Sequence, residues 1–238
     1  MKAHNIYITS MRGGSGCSLI AAHLAIVLYQ HNKKVLVVDG DPLNPTQALY
    51  YHINENYPAE AYLTEGKSLS QLIQKGLGGV DVLTNLHPIK KNKFDLTAFY
   101  NKLDDIKSEC SGLYDYIVWD IPALAFVSSS FTWNKRDIIT YVGSPGDFAY
   151  LSRFIEHYRR MTTKGDMTYL VNGYTQKADV IAYQDILGQD SDVTYLGYVS
   201  HDEQGVQEAL TKGMLLTYNE ETSPIMESLE LLSSYYLT

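Results

Sequence analysis

Cysteine is almost missing. The 238 residues hold two, Cys17 and Cys110, which excludes a disulfide framework and a cysteine-built metal cluster and fits a reducing cytoplasm. Basic charge is scarce as well: 19 Lys and Arg stand against 27 Asp and Glu, a net charge of −8. Nonspecific coating of nucleic acid needs a surplus of Lys and Arg on the phosphates, so no strong nucleic-acid binding is expected. No apolar run reaches the ~18–20 residues of a membrane-spanning helix. The chain enters an apolar strand almost at once, with no signal-peptide pattern ahead of it. No Pro-, Gly- or Ser-rich linker divides it, and it contains no internal repeat. What is present is a 45% apolar fraction with 19% charged residues, enough for one large core and incompatible with disorder. That length predicts one α/β domain over residues 1–238. Twenty tyrosines are many, and they read as surface and core filler.

Short β-rich runs alternate with helical stretches. Strands are expected at 5–10, 34–39, 80–83, 116–120, 138–143, 167–172 and 193–199. The run Lys34-Val-Leu-Val-Val-Asp39 is continuously apolar, as in a sheet covered on both faces. Helices are expected at 18–31, 94–110, 148–161, 203–212 and 221–236, with another between the strands at 116–120 and 138–143. The first is apolar all round and should be buried. This order predicts a doubly wound, mainly parallel sheet flanked by helices on both faces, with right-handed crossovers. The polar stretch from His52 to Ser68 reads as a surface loop.

Between the first strand and first helix lies Met11-Arg-Gly-Gly-Ser-Gly-Cys-Ser18. Glycines there let backbone N–H groups turn inward, and the helix N-terminus adds positive potential, so the segment is placed to cradle phosphate. The alternative is a glycine-rich turn that binds nothing. Asp39-Gly-Asp41-Pro and Asp120-Ile-Pro122 each follow a strand, and both should emerge on the edge that carries the loop. Cys17 stands where the phosphate-loop pattern puts lysine. Its place at a helix N-terminus predicts a lowered thiol pKa and leaves a redox or nucleophilic role open.

In these segments the chain resembles the ParA/MinD family of dimeric, deviant Walker-type ATPases, over nearly its whole length. The family's K-G-G-x-G-K-S/T loop is similar to Arg12-Gly-Gly-Ser-Gly-Cys-Ser18, and its D-x-D-P turn to Asp39-Gly-Asp41-Pro42, with Leu43 in place of the usual Gln. Tyr114 to Asp120 resembles the Walker B strand, and Leu170-Val-Asn172 the segment that ends in the adenine-reading Asn. Leu196 to Asp202 and Glu208 to Gly213 resemble the late G-x-I-P-x-D and E-A-x-x-x-G segments. Within the family the likeness runs toward the CpaE/TadZ pilus-assembly and BcsQ-like branches, whose loops are similar.

The resemblance implies a P-loop NTPase of the SIMIBI type that binds ATP or ADP with Mg²⁺. Gly13, Gly14, Ser15, Gly16, Cys17 and Ser18 would hold the phosphates, and Asn172 the adenine. Ser18, Asp39 and Asp120 would serve the metal. Asp41 would position the attacking water, and Arg12 would take the place of the signature lysine that reaches across a homodimer. Arg12 keeps the charge and adds a forked donor. Losing the loop lysine removes a phosphate-facing cation, by analogy a loss of ~10³–10⁵ in rate, so hydrolysis should be weak or absent.

The implied role is a nucleotide-switched positioning protein with partners in a pilus, secretion or polysaccharide-export machine. It would be cytoplasmic and recruited to a pole or the inner membrane through a partner. The final helix lacks a basic amphipathic face, so no intrinsic membrane anchor is expected. A DNA-partitioning ATPase and a nucleotide-free scaffold stay open as alternatives. Arg153, Arg159, Arg160 and Lys164 read as a solvated face, or else as a partner or DNA contact.

Overall fold

Strand β1 (His4–Thr9) is buried from Asn5 onward, and its side chains divide between two cores. Tyr7 faces one, while Ile6 and Ile8 face the other. The period-2 alternation repeats in β2 (Val35–Asp39) and β5 (Tyr116–Asp120), where Leu36, Val38, Ile117 and Trp119 join Tyr7, and Val35, Val37, Tyr116 and Val118 join Ile6. A strand apolar on both sides needs cover on both sides. Helices α1 (Cys17–Gln30), α2 (Gln47–Tyr51), α6 (Glu203–Lys212) and α7 (Pro224–Ser233) contribute to the core containing Ile6. Helices α3 (Leu96–Cys110) and α5 (Phe148–Arg159) contribute to the core containing Tyr7. The short α4 (Leu124–Val127) follows β5.

The remaining strands are β3 (Gln74–Lys75), β4 (Asp81–Leu83), β6 (Ile138–Gly143), β7 (Asp166–Tyr174) and β8 (Val193–Ser200). The sheet order is β3-β4-β2-β5-β1-β6-β7-β8, and every pairing is parallel except β3 with β4. This computed structural model describes residues 2–42, 44–53, 67–84, 86, 96–127, 133–161, 165–174, 192–212, 215–216 and 223–237.

The doubly wound parallel sheet is as expected, and so are the strand positions to within a few residues. Helix α1 is buried from Leu19 to Leu28, as its all-round apolar sequence predicts. Two elements escape the sequence pattern. Helix α2 is barely more than a turn, and β3 has two residues, so neither carries a readable period. Helix α7 begins at Pro224, where Ser223 caps it by accepting from the Ile225 N–H, rather than at Glu221. Glu221, Phe94, Lys164 and most of 52–68 lie outside the described residues. Several tyrosines are core, with Tyr7, Tyr51, Tyr100, Tyr141 and Tyr169 fully buried. In the basic cluster, Arg159 Nε lies 3.7 Å from Asp192 Oδ2, which reduces its free charge.

Candidate nucleotide site

Parallel strands bring their carboxyl ends to one edge. Asp120 lies beside Asp39 on one side and Ile8 on the other, so the loop after β1 and the acidic ends of β2 and β5 meet there. They border a cleft of about 510 Å³ lined by Ser10 through Leu19, Asp41, Asn44, Thr46, Tyr50 and Asp120 through Ala123. That volume suits a nucleotide-sized ligand.

The loop is held from beneath. Ser10 Oγ donates to Ser15 Oγ at 2.9 Å, Ser15 Oγ donates to the Arg12 carbonyl at 2.9 Å, and the Arg12 N–H donates to Ser10 Oγ at 3.2 Å. Ser15 is therefore buried under the loop, and only its backbone is left for a ligand. Gly14 and Gly16 have φ of 82° and 88°, a region that glycine enters without strain. A Cβ on Gly16 would also come within 2.2 Å of Asn172 Nδ2. Gly13 and Gly14 face open space. Asn172, placed within β7, donates from Nδ2 to the Ser15 carbonyl at 2.9 Å. Its amide braces the loop and does not line the cleft.

Behind the loop, Asp39 and Asp120 are both buried. Burial and the neighbouring Asp120 push the Asp39 carboxyl well above the usual range. Burial also pushes Asp120 up to about 6, against hydrogen bonds from Gln47 and Ser18 that lower it. Gln47 holds both acids: its backbone N–H donates to Asp39 Oδ2 at 2.9 Å and its Nε2 to Asp120 Oδ2 at 2.8 Å. Thr84 Oγ1 donates to Asp39 Oδ2 at 3.1 Å. Asp39 Oδ1 remains buried with no hydrogen-bond partner. Two buried carboxylates, one with an orphaned oxygen and the other hydrogen-bonded by the Ser18 hydroxyl, make a donor set that fits a hard divalent cation. Ser18, Asp39 and Asp120 are the residues that would hold magnesium, whose charge would offset theirs and that of a phosphate. Asp41 borders the cleft, its Oδ1 accepting from the Asn44 N–H at 3.1 Å.

Cys17 corrects an expectation. Although it opens α1, burial and the neighbouring Asp120 raise its thiol well above the ordinary value. Desolvation and a nearby carboxylate outweigh the helix terminus, which disfavours the thiolate that a redox or nucleophilic role would need. Arg12 is exposed at the loop surface, yet it does not float free. Its Nη1 lies 2.5 Å from Oδ1 of Asp147, a residue 1% exposed in its side chain. Asp147 precedes α5, and its Oδ2 accepts from the Ser144 N–H at 3.1 Å. The sequence reading missed Gln47, Thr84 and Asp147 as site residues. No motif marks them, and only their position on the carboxyl edge brings them to the loop and acids.

The family described as an AAA domain matches residues 3–131. Among curated proteins, the tyrosine-protein kinase YwqD of Bacillus subtilis is 30% identical over 127 residues, 53% of this chain and 53% of YwqD. The chain spans about half the length of the curated relatives it matches. The septum site-determining protein MinD of Pyrococcus horikoshii, complexed with Mg-ADP, superposes with a TM-score of 0.78 at 20% identity, covering 98% of this chain and 96% of that one. A putative plasmid partition protein of Borrelia burgdorferi bound to AMPPNP superposes with a TM-score of 0.71 at 19% identity, covering 100% of this chain and 99% of that one. At these identities the likeness is one of fold.

Proposed function

The chain belongs to the AAA-domain family and is built on the MinD/ParA fold, and from that premise we propose that it is an ATP-binding assembly protein, switched by nucleotide and slow or inert in hydrolysis. The observation that carries this is the pairing of an open, glycine-lined loop with a buried acid pair in a cleft whose lysine position is Cys17. Residues 1–238 act as one nucleotide-binding unit. The backbone of Gly13 to Ser18 holds phosphate, Ser18, Asp39 and Asp120 serve Mg²⁺, and Asp41 orients water. Phosphoryl transfer relies on positioning and on cations at the phosphates. With the loop lysine gone, binding is retained by amides and metal better than turnover is.

A second copy related by a two-fold axis would cover the cleft, and its Arg12 would supply the missing cation in trans. In this state Arg12 is held by its own chain's Asp147, so the step requires that pair to open. The partner is a cell-surface machine of the pilus, secretion or polysaccharide-export kind. The DNA-partition alternative is disfavoured by the net charge of −8.

The test is thermal unfolding with and without ATP and Mg²⁺, alongside phosphate release. A ligand bound only to the native state at 100 times its Kd adds about 2.7 kcal/mol, a rise of roughly 5–10 °C. That rise is expected together with very slow turnover. No shift at millimolar ATP would overturn the reading in favour of a nucleotide-free scaffold.

A further inference from the structure

One buried side chain at this site has no role in any motif. Gln47 is fully buried at the start of α2. Its Nε2 donates to the Ser18 carbonyl at 3.0 Å and to Asp120 Oδ2 at 2.8 Å, while its backbone N–H donates to Asp39 Oδ2 at 2.9 Å. Both side-chain neighbours are acceptors in the ionised site, so the amide can face them only through its nitrogen. Its Oε1 is thereby left buried without a partner, as are Asp39 Oδ1 and Thr46 Oγ1. An orphaned buried oxygen is costly, and three on consecutive parts of one site mark an arrangement built for an additional donor or cation.

We propose that Gln47 is the positioning residue of the carboxylate pair, its amide standing in for a cation while none is bound. One residue donates to both acids and ties them to the phosphate-loop helix through the Ser18 carbonyl. The side-chain amide sets partial positive charge against Asp120 and the backbone N–H does so against Asp39, where a metal would set full charge, and the amide holds Asp120 in place for it. The proposal rests on the nucleotide-site reading only for what the pair is for.

The test uses the full chain without nucleotide, with magnesium chloride alone as the probe. Gln47→Leu keeps the bulk and the backbone donor to Asp39 but removes the side-chain donor to Asp120 and the Ser18 carbonyl. Its melting temperature should fall by roughly 5 °C. Millimolar magnesium should restore at least about half of that fall, as mass action predicts for a cation site left unfilled. Wild type should gain less from magnesium than the variant does, because its amide already offsets part of the charge at Asp120. Asp39→Asn removes one charge of the pair, so adding Gln47→Leu to it should cost less than half of what it costs in wild type, a coupling that a double-mutant cycle reads directly. Should Gln47→Leu fail to fold, Gln47→Asn replaces it under the same criteria, since the shorter amide cannot span Ser18 and Asp120 together. Equal losses in both backgrounds, or rescue by potassium chloride of equal ionic strength as well as by magnesium, would overturn the proposal and leave Gln47 a packing residue. Absence of ATP binding would overturn the functional reading while leaving this one intact.

Discussion

At Cys17 two local influences compete. A helix N-terminus favours the thiolate, whereas burial and Asp120 favour the thiol, and the second pair wins. The protein should therefore react with iodoacetamide at pH 7.5 far more slowly at Cys17 than a free cysteine does, as read by peptide mass spectrometry. Fast alkylation would mean that the thiol is ionised despite Asp120. The same neighbour makes Cys17→Lys informative, because a lysine there would sit beside the carboxylate pair and return a cation to the loop. Phosphate release should rise in that variant by tenfold or more, a small part of the ~10³–10⁵ that a phosphate-facing cation contributes in related chemistry. An unchanged rate would place the defect elsewhere, with Arg12 and Asp41 the residues to examine next.

Helix α1 links the phosphate loop to the C-terminal part of the chain through His23. Its Nδ1 lies 2.7 Å from the Leu19 carbonyl, and its Nε2 accepts from the Leu216 N–H at 3.1 Å. A ring that donates at one nitrogen and accepts at the other is neutral. Burial accordingly lowers its pKa from 6.5 to about 4. A histidine whose folded pKa lies below its unfolded value binds more protons when unfolded, so stability drops as pH falls from 6.5 toward 4. The loss reaches about 3 kcal/mol from this group, taking 1.36 kcal/mol per pKa unit. His23→Gln should be less stable than wild type at pH 7 but lose less on going to pH 4.5, as measured by urea unfolding. An identical pH dependence in the two proteins would remove His23 from this role. In helix α2, by contrast, five residues gain their place through Gln47 and Tyr51, whose hydroxyl donates to the Ala22 carbonyl at 2.7 Å.

For the whole molecule the question is what closes the cleft. Arg12 stands at its mouth, and exposed Met11 lies beside it on the loop, with Tyr150 exposed on the first turn of α5. Apolar side chains around a charged, ligand-facing edge suit an interface between copies better than a solvent surface. ATP drives dimerisation only if the dimer binds it more tightly. Sedimentation should thus show monomer without nucleotide and dimer with ATP and Mg²⁺. Arg12→Ala should abolish the shift while changing the melting temperature of the free protein little, since water screens an ion pair whose arginine is exposed. Should Arg12→Ala dimerise like wild type, the trans role is wrong.

The sequence by itself determined the sheet and its covering, because strands apolar on both sides and an all-round apolar helix leave few other solutions. It determined, too, that a glycine loop and two acidic strand ends share one edge, since parallel strands carry their carboxyl ends together. What only the tertiary structure decided is the state of those groups. Burial and Asp120 keep Cys17 a thiol, Asp147 holds Arg12, and Asn172 braces the loop, and all three groups come from distant parts of the chain. Gln47 shows the limit most plainly. A glutamine after Pro45-Thr46 carries no local signal, and its chemistry arises only where β2, β5 and α1 converge on it. Hydrogen bonds and desolvation act through space over a few ångströms, and the order of residues along the chain does not record which groups end up that close.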